Sequence, residues 1–220
     1  MWTSRKVWFG VGVLSALSCR GAELTATNSS SDKPFKLETP APSLWEAGIG
    51  EGFRSSAQNV SMMAGAVTGI ALLGGVQAHD LALTSLSYGH MLSHTVGDGR
   101  FYRGNWELRG ELFGGVEYSP SSEWVIGLAP HLRYNFATGT RWVPYFDAGA
   151  GVTATSIGPP DLSNTFEFNL QATVGTQFFL RDNLALTLEA RFLHMSCAGI
   201  SDPNRGVNGV VGLVGLSFLF

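Results

Sequence analysis

Leu184-Ala-Leu-Thr-Leu-Glu-Ala-Arg-Phe-Leu-His-Met-Ser196 is the stretch on which the fold turns. Sorted by parity, Leu184, Leu186, Leu188, Ala190 and Phe192 fall on one side, and Thr187, Glu189 and Arg191 on the other. A period of two with aliphatics on one side and charges on the other is a strand with an apolar and a polar face. His194 and Ser196 continue the apolar stripe to its end. A base and a nucleophile therefore stand at the edge of an oily surface rather than in a polar pocket, which suits chemistry on a lipid.

The same test works outward along the chain. In residues 106–118, Trp106, Leu108, Leu112, Val116 and Tyr118 oppose Glu107, Arg109, Glu111 and Glu117. In residues 124–136, 142–152 and 166–180 the even positions are again apolar, while His131, Arg133, Asp147 and Glu167 take odd ones. The last run, from Val210 to Phe220, and two weaker segments at 60–72 and 79–92 bring the expected count to eight strands. Alternation alone fits a soluble sandwich as well as a membrane barrel. Three features favour the barrel. The runs are longer than the usual globular strand of about 5–6 residues and match a tilted membrane span. Aromatics gather near strand ends, as interfacial girdles do. An N-terminal export signal and a terminal Phe220 accompany an even strand count. The expected fold is all-β, an eight-stranded antiparallel transmembrane β-barrel over residues 59–220.

A barrel of this size has an interior that side chains fill. The odd-position charges would form a lumenal network, and since buried charges need partners and both signs occur, pairing is favoured over catalysis or a pore.

The chain has 220 residues, a charged fraction of 14% and a net charge of −3, too small to argue for a nucleic-acid partner. Arg5 and Lys6, an apolar stretch from Val7 to Leu17 and small residues after it read as a secretory signal within residues 1–22. Cleavage after Ser18 or after Ala22 is compatible with it, and Cys19 also invites a lipoprotein reading. Residues 23–58 read as a disordered lead-in and a short cap, with an additional strand at 44–56 as the alternative. With both termini in the periplasm, the turns at 137–140 and 181–183 fall on the periplasmic side, where short turns belong. His194 and Ser196 then lie at the outer end of the barrel.

His194-x-Ser196 sets two side chains on one strand face, about 6.8 Å apart along the strand, close enough for a nucleophile and its base. Any such pair in a strand would pass this test, and an interfacial histidine is often only an anchor. The context is more specific. The stretch Arg191-Phe-Leu-His-Met-Ser-Cys-Ala-Gly-Ile-Ser-Asp-Pro-Asn-Arg-Gly-Val-Asn208 resembles the signature of the lipid A 3-O-deacylase family of outer-membrane acyl hydrolases. Blocks at 103–114, 132–136 and 147–151 are similar to other parts of that family, so the resemblance covers about residues 60–220.

The resemblance implies that His194 is the base and Ser196 the nucleophile that attacks the ester at the 3-position of lipid A. It also implies that the residue after the serine and a nearby glycine amide, here Cys197 and Gly199, stabilise the oxyanion. No metal or cofactor is implied, and no cluster with metal-ligand spacing stands on the outward face. The partners it implies are lipopolysaccharide and the outer membrane; a homodimer is left open. The chain departs from the family twice. The family's acid, a glutamate, falls on Asn208, and its asparagine after the serine is Cys197. Replacing a triad acid by its amide slows a serine protease by about 10⁴. Restoring the acid by Asn208→Glu is therefore expected to raise the rate, with Asp202 as the nearest alternative carboxylate. Two further readings stand beside the esterase: a non-catalytic structural or surface-interaction barrel on the same scaffold, and a soluble periplasmic lipid binder.

Overall fold

The computed structural model describes residues 53–220. The export signal, the Cys19 site, the lead-in and all of the expected cap but its last residues lie outside the described residues. Eight antiparallel strands follow one another: β1 (Gln58–Gly69), β2 (Asp80–Met91), β3 (Gly104–Ser119), β4 (Trp124–Phe136), β5 (Trp142–Thr155), β6 (Phe166–Arg181), β7 (Leu184–Ser196) and β8 (Val207–Leu219). Each pairs with the next, and β8 closes on β1, so the sheet has no free edge.

One parity runs through the whole wall. Along most of each interface partners share parity, as in Met62↔Leu86, Leu132↔Ala148 and Leu188↔Val214. Even-numbered side chains therefore face out in every strand. Leu108, Leu112, Ile126, Leu128, Leu170, Val174 and Val214 are all exposed, forming an apolar belt. Pro130 stands mid-strand in β4. The β4–β5 register is the same on both sides of it, Leu128↔Val152 and His131↔Gly149, with the ladder broken where the proline lacks an N–H.

The lumen has three layers. In the middle, Asp147 receives Arg109 and Arg133, each at 2.9 Å, and Glu189 receives Arg133 at 2.8 Å and Arg191 at 2.7 Å. Arg191 also reaches Glu111 at 2.7 Å. Tyr145 donates to Glu189 at 2.8 Å, and the Arg133 guanidinium lies 3.5 Å from the Tyr145 ring centroid. Apolar layers lie on either side, a feature the charge pattern did not predict. One contains Met63, Leu81, Leu83, Phe113, Leu193, Met195 and Leu213. The other contains Phe53, Met91, Val143, Phe179 and Leu219, with the Phe53 and Phe179 rings edge to face at 6.0 Å. Three of the odd-position acids leave the expected network, the Glu167 carboxylate having no side-chain partner among the described residues. Glu107 is bound by the amides of Asn59 and Asn135, and Glu117 by His79.

The connections at 70–79, 120–123, 156–165 and 197–206 share one end of the barrel. Those at 92–103, 137–141 and 182–183 share the other. Loop length separates the ends imperfectly, since 92–103 is long and 120–123 is short.

Candidate active site

Strand β7 carries His194 and Ser196 outward because both are even-numbered, and both are half-buried at the strand's end. Across the ladder His194 faces Leu170 on β6 and Asn208 on β8, while Ser196 faces Phe168. The His194 imidazole spans its two polar neighbours. Its Nε2 lies 3.0 Å from Ser196 Oγ, and its Nδ1 lies 2.7 Å from Asn208 Oδ1. Around this polar line are exposed Phe168, Leu170 and Val210.

Asn208 shares the outward parity yet is only 1% exposed, because the β1–β2 loop crosses over it. Its Nδ2 donates to the Leu72 carbonyl at 2.6 Å, and its backbone carbonyl accepts the Ile70 N–H at 2.9 Å. Since only the NH₂ group can face a carbonyl, Oδ1 is the atom turned to the ring. It accepts the proton on Nδ1 and leaves the Nε2 lone pair for the serine hydroxyl. The second neighbour of the ring is Gly206, at φ 77°. A Cβ there would come within 3.0 Å of His194 Cε1.

The structure therefore brings three of the five sequence-derived site residues, His194, Ser196 and Asn208, into one hydrogen-bonded chain. Cys197 and Gly199 are occupied elsewhere. The Cys197 N–H donates to Asn204 Oδ1 at 3.0 Å, and its thiol donates to the Ser201 carbonyl at 3.3 Å. Burial raises this thiol, but hydrogen bonds from the Ser201 backbone and hydroxyl and from the Gly199 backbone outweigh it and hold it below the ordinary thiol value. Ala198 and Gly199 both turn through positive φ, at 54° and 79°, which curls the loop back on Cys197. Asp202 is exposed, and the Nδ1 position it was considered for is taken by Asn208.

Sequence reasoning missed the Leu72 carbonyl, which acts through its backbone and has no residue signature. It also missed a second polar cluster at the same end. His79 lies 2.5 Å from Glu117 and 3.2 Å from Asp161. Asp161 in turn accepts the Val76 N–H on its side chain at 3.0 Å, and the Arg205 and Gly206 N–H groups on its carbonyl at 2.9 and 3.1 Å. Among the described residues no group of His, Cys, Asp and Glu has the arrangement of a metal site.

Comparison with known proteins follows the same line. The crystal structure of the outer membrane enzyme PagL superposes with a TM-score of 0.51 at 19% identity, covering 73% of this chain and 98% of that one. Neisserial surface protein A (NspA) superposes with a TM-score of 0.55 at 15% identity, over 76% and 98% respectively. At such identities the likeness is one of fold, that of an outer-membrane barrel. No curated protein sequence matches at a significant level. The model of one family, lipid A 3-O-deacylase (PagL), matches residues 79–217, from the start of β2 nearly to the end of β8. This outer-membrane barrel belongs to the lipid A 3-O-deacylase (PagL) family.

Proposed function

We propose that the protein is a serine esterase that removes the acyl chain ester-linked at the 3-position of lipid A, acting from the outer leaflet. The observation that carries this reading is the Ser196–His194–Asn208 chain on an apolar, outward-facing surface. Lipid A in the leaflet would lie with its acyl chains alongside Phe168, Leu170 and Val210 and its ester at the level of Ser196. Ser196 Oγ adds to the ester carbonyl carbon while its proton passes to His194 Nε2. The tetrahedral intermediate then collapses, breaking the bond between that carbon and the sugar oxygen, and the departing alkoxide takes the proton from Nε2. Water, activated by the same nitrogen, then cleaves the acyl-serine to release a fatty acid and restore the hydroxyl. Asn208 holds the ring in the tautomer this sequence needs. A neutral amide stabilises the transient imidazolium less than a carboxylate does, so turnover is slow beside an acid-bearing triad.

A second reading, a non-catalytic barrel on the same scaffold, draws its support from the Cys197 N–H, which is committed to Asn204 rather than free for an oxyanion. Mass spectrometry of lipid A from cells expressing the protein, beside a Ser196→Ala control, separates the two. Loss of a 3-linked acyl chain only with the unaltered protein supports the esterase; unchanged lipid A in both supports the second reading.

A further inference from the structure

The β1–β2 loop does more than cover Asn208. The Leu72 carbonyl accepts two hydrogen bonds, from Asn208 Nδ2 at 2.6 Å and from the Gly75 N–H at 3.0 Å. Both of its lone pairs are in use, so it is fixed in direction. The loop is tied down on each side, by Ile70 N–H to the Asn208 carbonyl at 2.9 Å and by Val76 N–H to Asp161 Oδ1 at 3.0 Å. Gly75 closes the back of the pocket. A Cβ there would stand 3.2 Å from Asn208 Nδ2, 3.3 Å from the Leu72 carbonyl oxygen and 2.9 Å from that of Gly206.

We infer that the Leu72 carbonyl selects an amide at position 208, and that through this amide the β1–β2 loop sets the tautomer of His194. The inference rests on the esterase reading and adds the positioning device that lets this chain work without the family's acid. An aspartate at 208 would turn one carboxylate oxygen to the ring and the other to the Leu72 oxygen, with acceptor facing acceptor where a donor now stands. A glutamate would have to fit a longer side chain between the same two groups. Either acid must displace the loop or leave the ring, so the expected gain from restoring the acid is reversed. Leu72, Gly75 and Asn208 are positioning residues: none is proposed to touch the reacting atoms.

The test uses the full chain in outer-membrane vesicles containing lipopolysaccharide. Wild type is compared with Asn208→Asp and Gly75→Ala, and heat-modifiable gel migration establishes that each barrel is folded. Both variants should lose roughly 10- to 100-fold in kcat, the rate equivalent of one misplaced buried hydrogen bond, with KM little changed. Asn208→Asp at or above the wild-type rate would overturn the inference while leaving the esterase reading standing. The ¹⁵N resonances of the imidazole in micelle-embedded protein give a readout independent of turnover. Wild-type His194 should carry its proton on Nδ1, and Asn208→Leu should shift it towards Nε2. A wild-type ring protonated on Nε2 would overturn the inference. Absence of turnover in wild type would sink the esterase reading, and the tautomer would still decide the role of the loop.

Discussion

His131 and His194 stand in the same wall and teach opposite lessons. His131 faces the lumen between two carboxylates, with Nδ1 3.1 Å from Asp147 and Nε2 3.2 Å from Glu111. Both nitrogens are turned to carboxylates inside the lumen, so neither is available to a molecule at the outer surface. His194 faces out between an amide oxygen and a hydroxyl, neither of them charged. One nitrogen donates and the other stays free to accept. Each ring lies against a glycine, Gly149 for His131 and Gly206 for His194, where a Cβ would come within 2.6 Å and 3.0 Å of the ring. The packing is alike and the partners differ. Carboxylates on both sides make a histidine part of the scaffold; neutral partners leave it available as a base.

The comparison breaks most plainly at the outward pair. Ser196→Ala and His194→Ala should each reduce acyl release by at least ~10³, since members of such a unit fail together. Barrel folding should be unaffected, because both side chains sit on the outer surface. Retained release, measured by mass spectrometry of lipid A, would remove the altered residue from the mechanism.

Next in size is an interior change. Asp147→Ala removes the one anion that Arg109, Arg133 and His131 all contact and should cost about 3–5 kcal/mol. The temperature of the heat-modifiable gel shift should fall, while release per folded molecule stays the same. A fall in rate without a fall in that temperature would mean that the interior network reaches the outward site.

Gly206→Ala sharpens the contrast between the two rings. At φ 77° the new side chain costs about 1–2 kcal/mol of backbone strain and presses on His194 Cε1. Activity should fall roughly tenfold with the barrel still folded, and an unchanged kcat would show that the ring tolerates displacement. The smallest effect belongs to the lumenal hydroxyl chain, where Ser217 lies 2.7 Å from Ser61 and 2.6 Å from Thr187. Ser217→Ala should cost about 1 kcal/mol of stability and nothing in turnover, checked by the same gel and release assays.

Much of this architecture is legible in the amino-acid sequence. Alternation from Trp106 to Arg191 was clean because those strands carry charges inside and aliphatics outside, whereas β8 carries no charge and turns Val211 and Leu213 to the lumen. In β1 and β2 it blurred because Met63, Leu81 and Leu83 are apolar and yet face the lumen, where they build a layer that charge counting overlooks. His194 and Ser196 were legible because two side chains of one strand, two residues apart, share a face whatever else happens. The fit of an amide at 208 was not legible. It depends on a main-chain oxygen brought over from the β1–β2 loop, far away in sequence, and backbone oxygens leave no trace in residue identity. The same holds for Cys197 and Gly199, whose roles are decided by how the loop turns.

Asp161 gives the loops a property of its own. Its side chain and carbonyl fasten the β1–β2 and β7–β8 loops at once, and those two loops flank the Ser196–His194–Asn208 hydrogen-bonded chain. The loops at this end are therefore not interchangeable modules. A tag or foreign loop inserted at 156–165 would unfasten both flanks together. Any transplant of the site onto another barrel would need three loops moved as a single part.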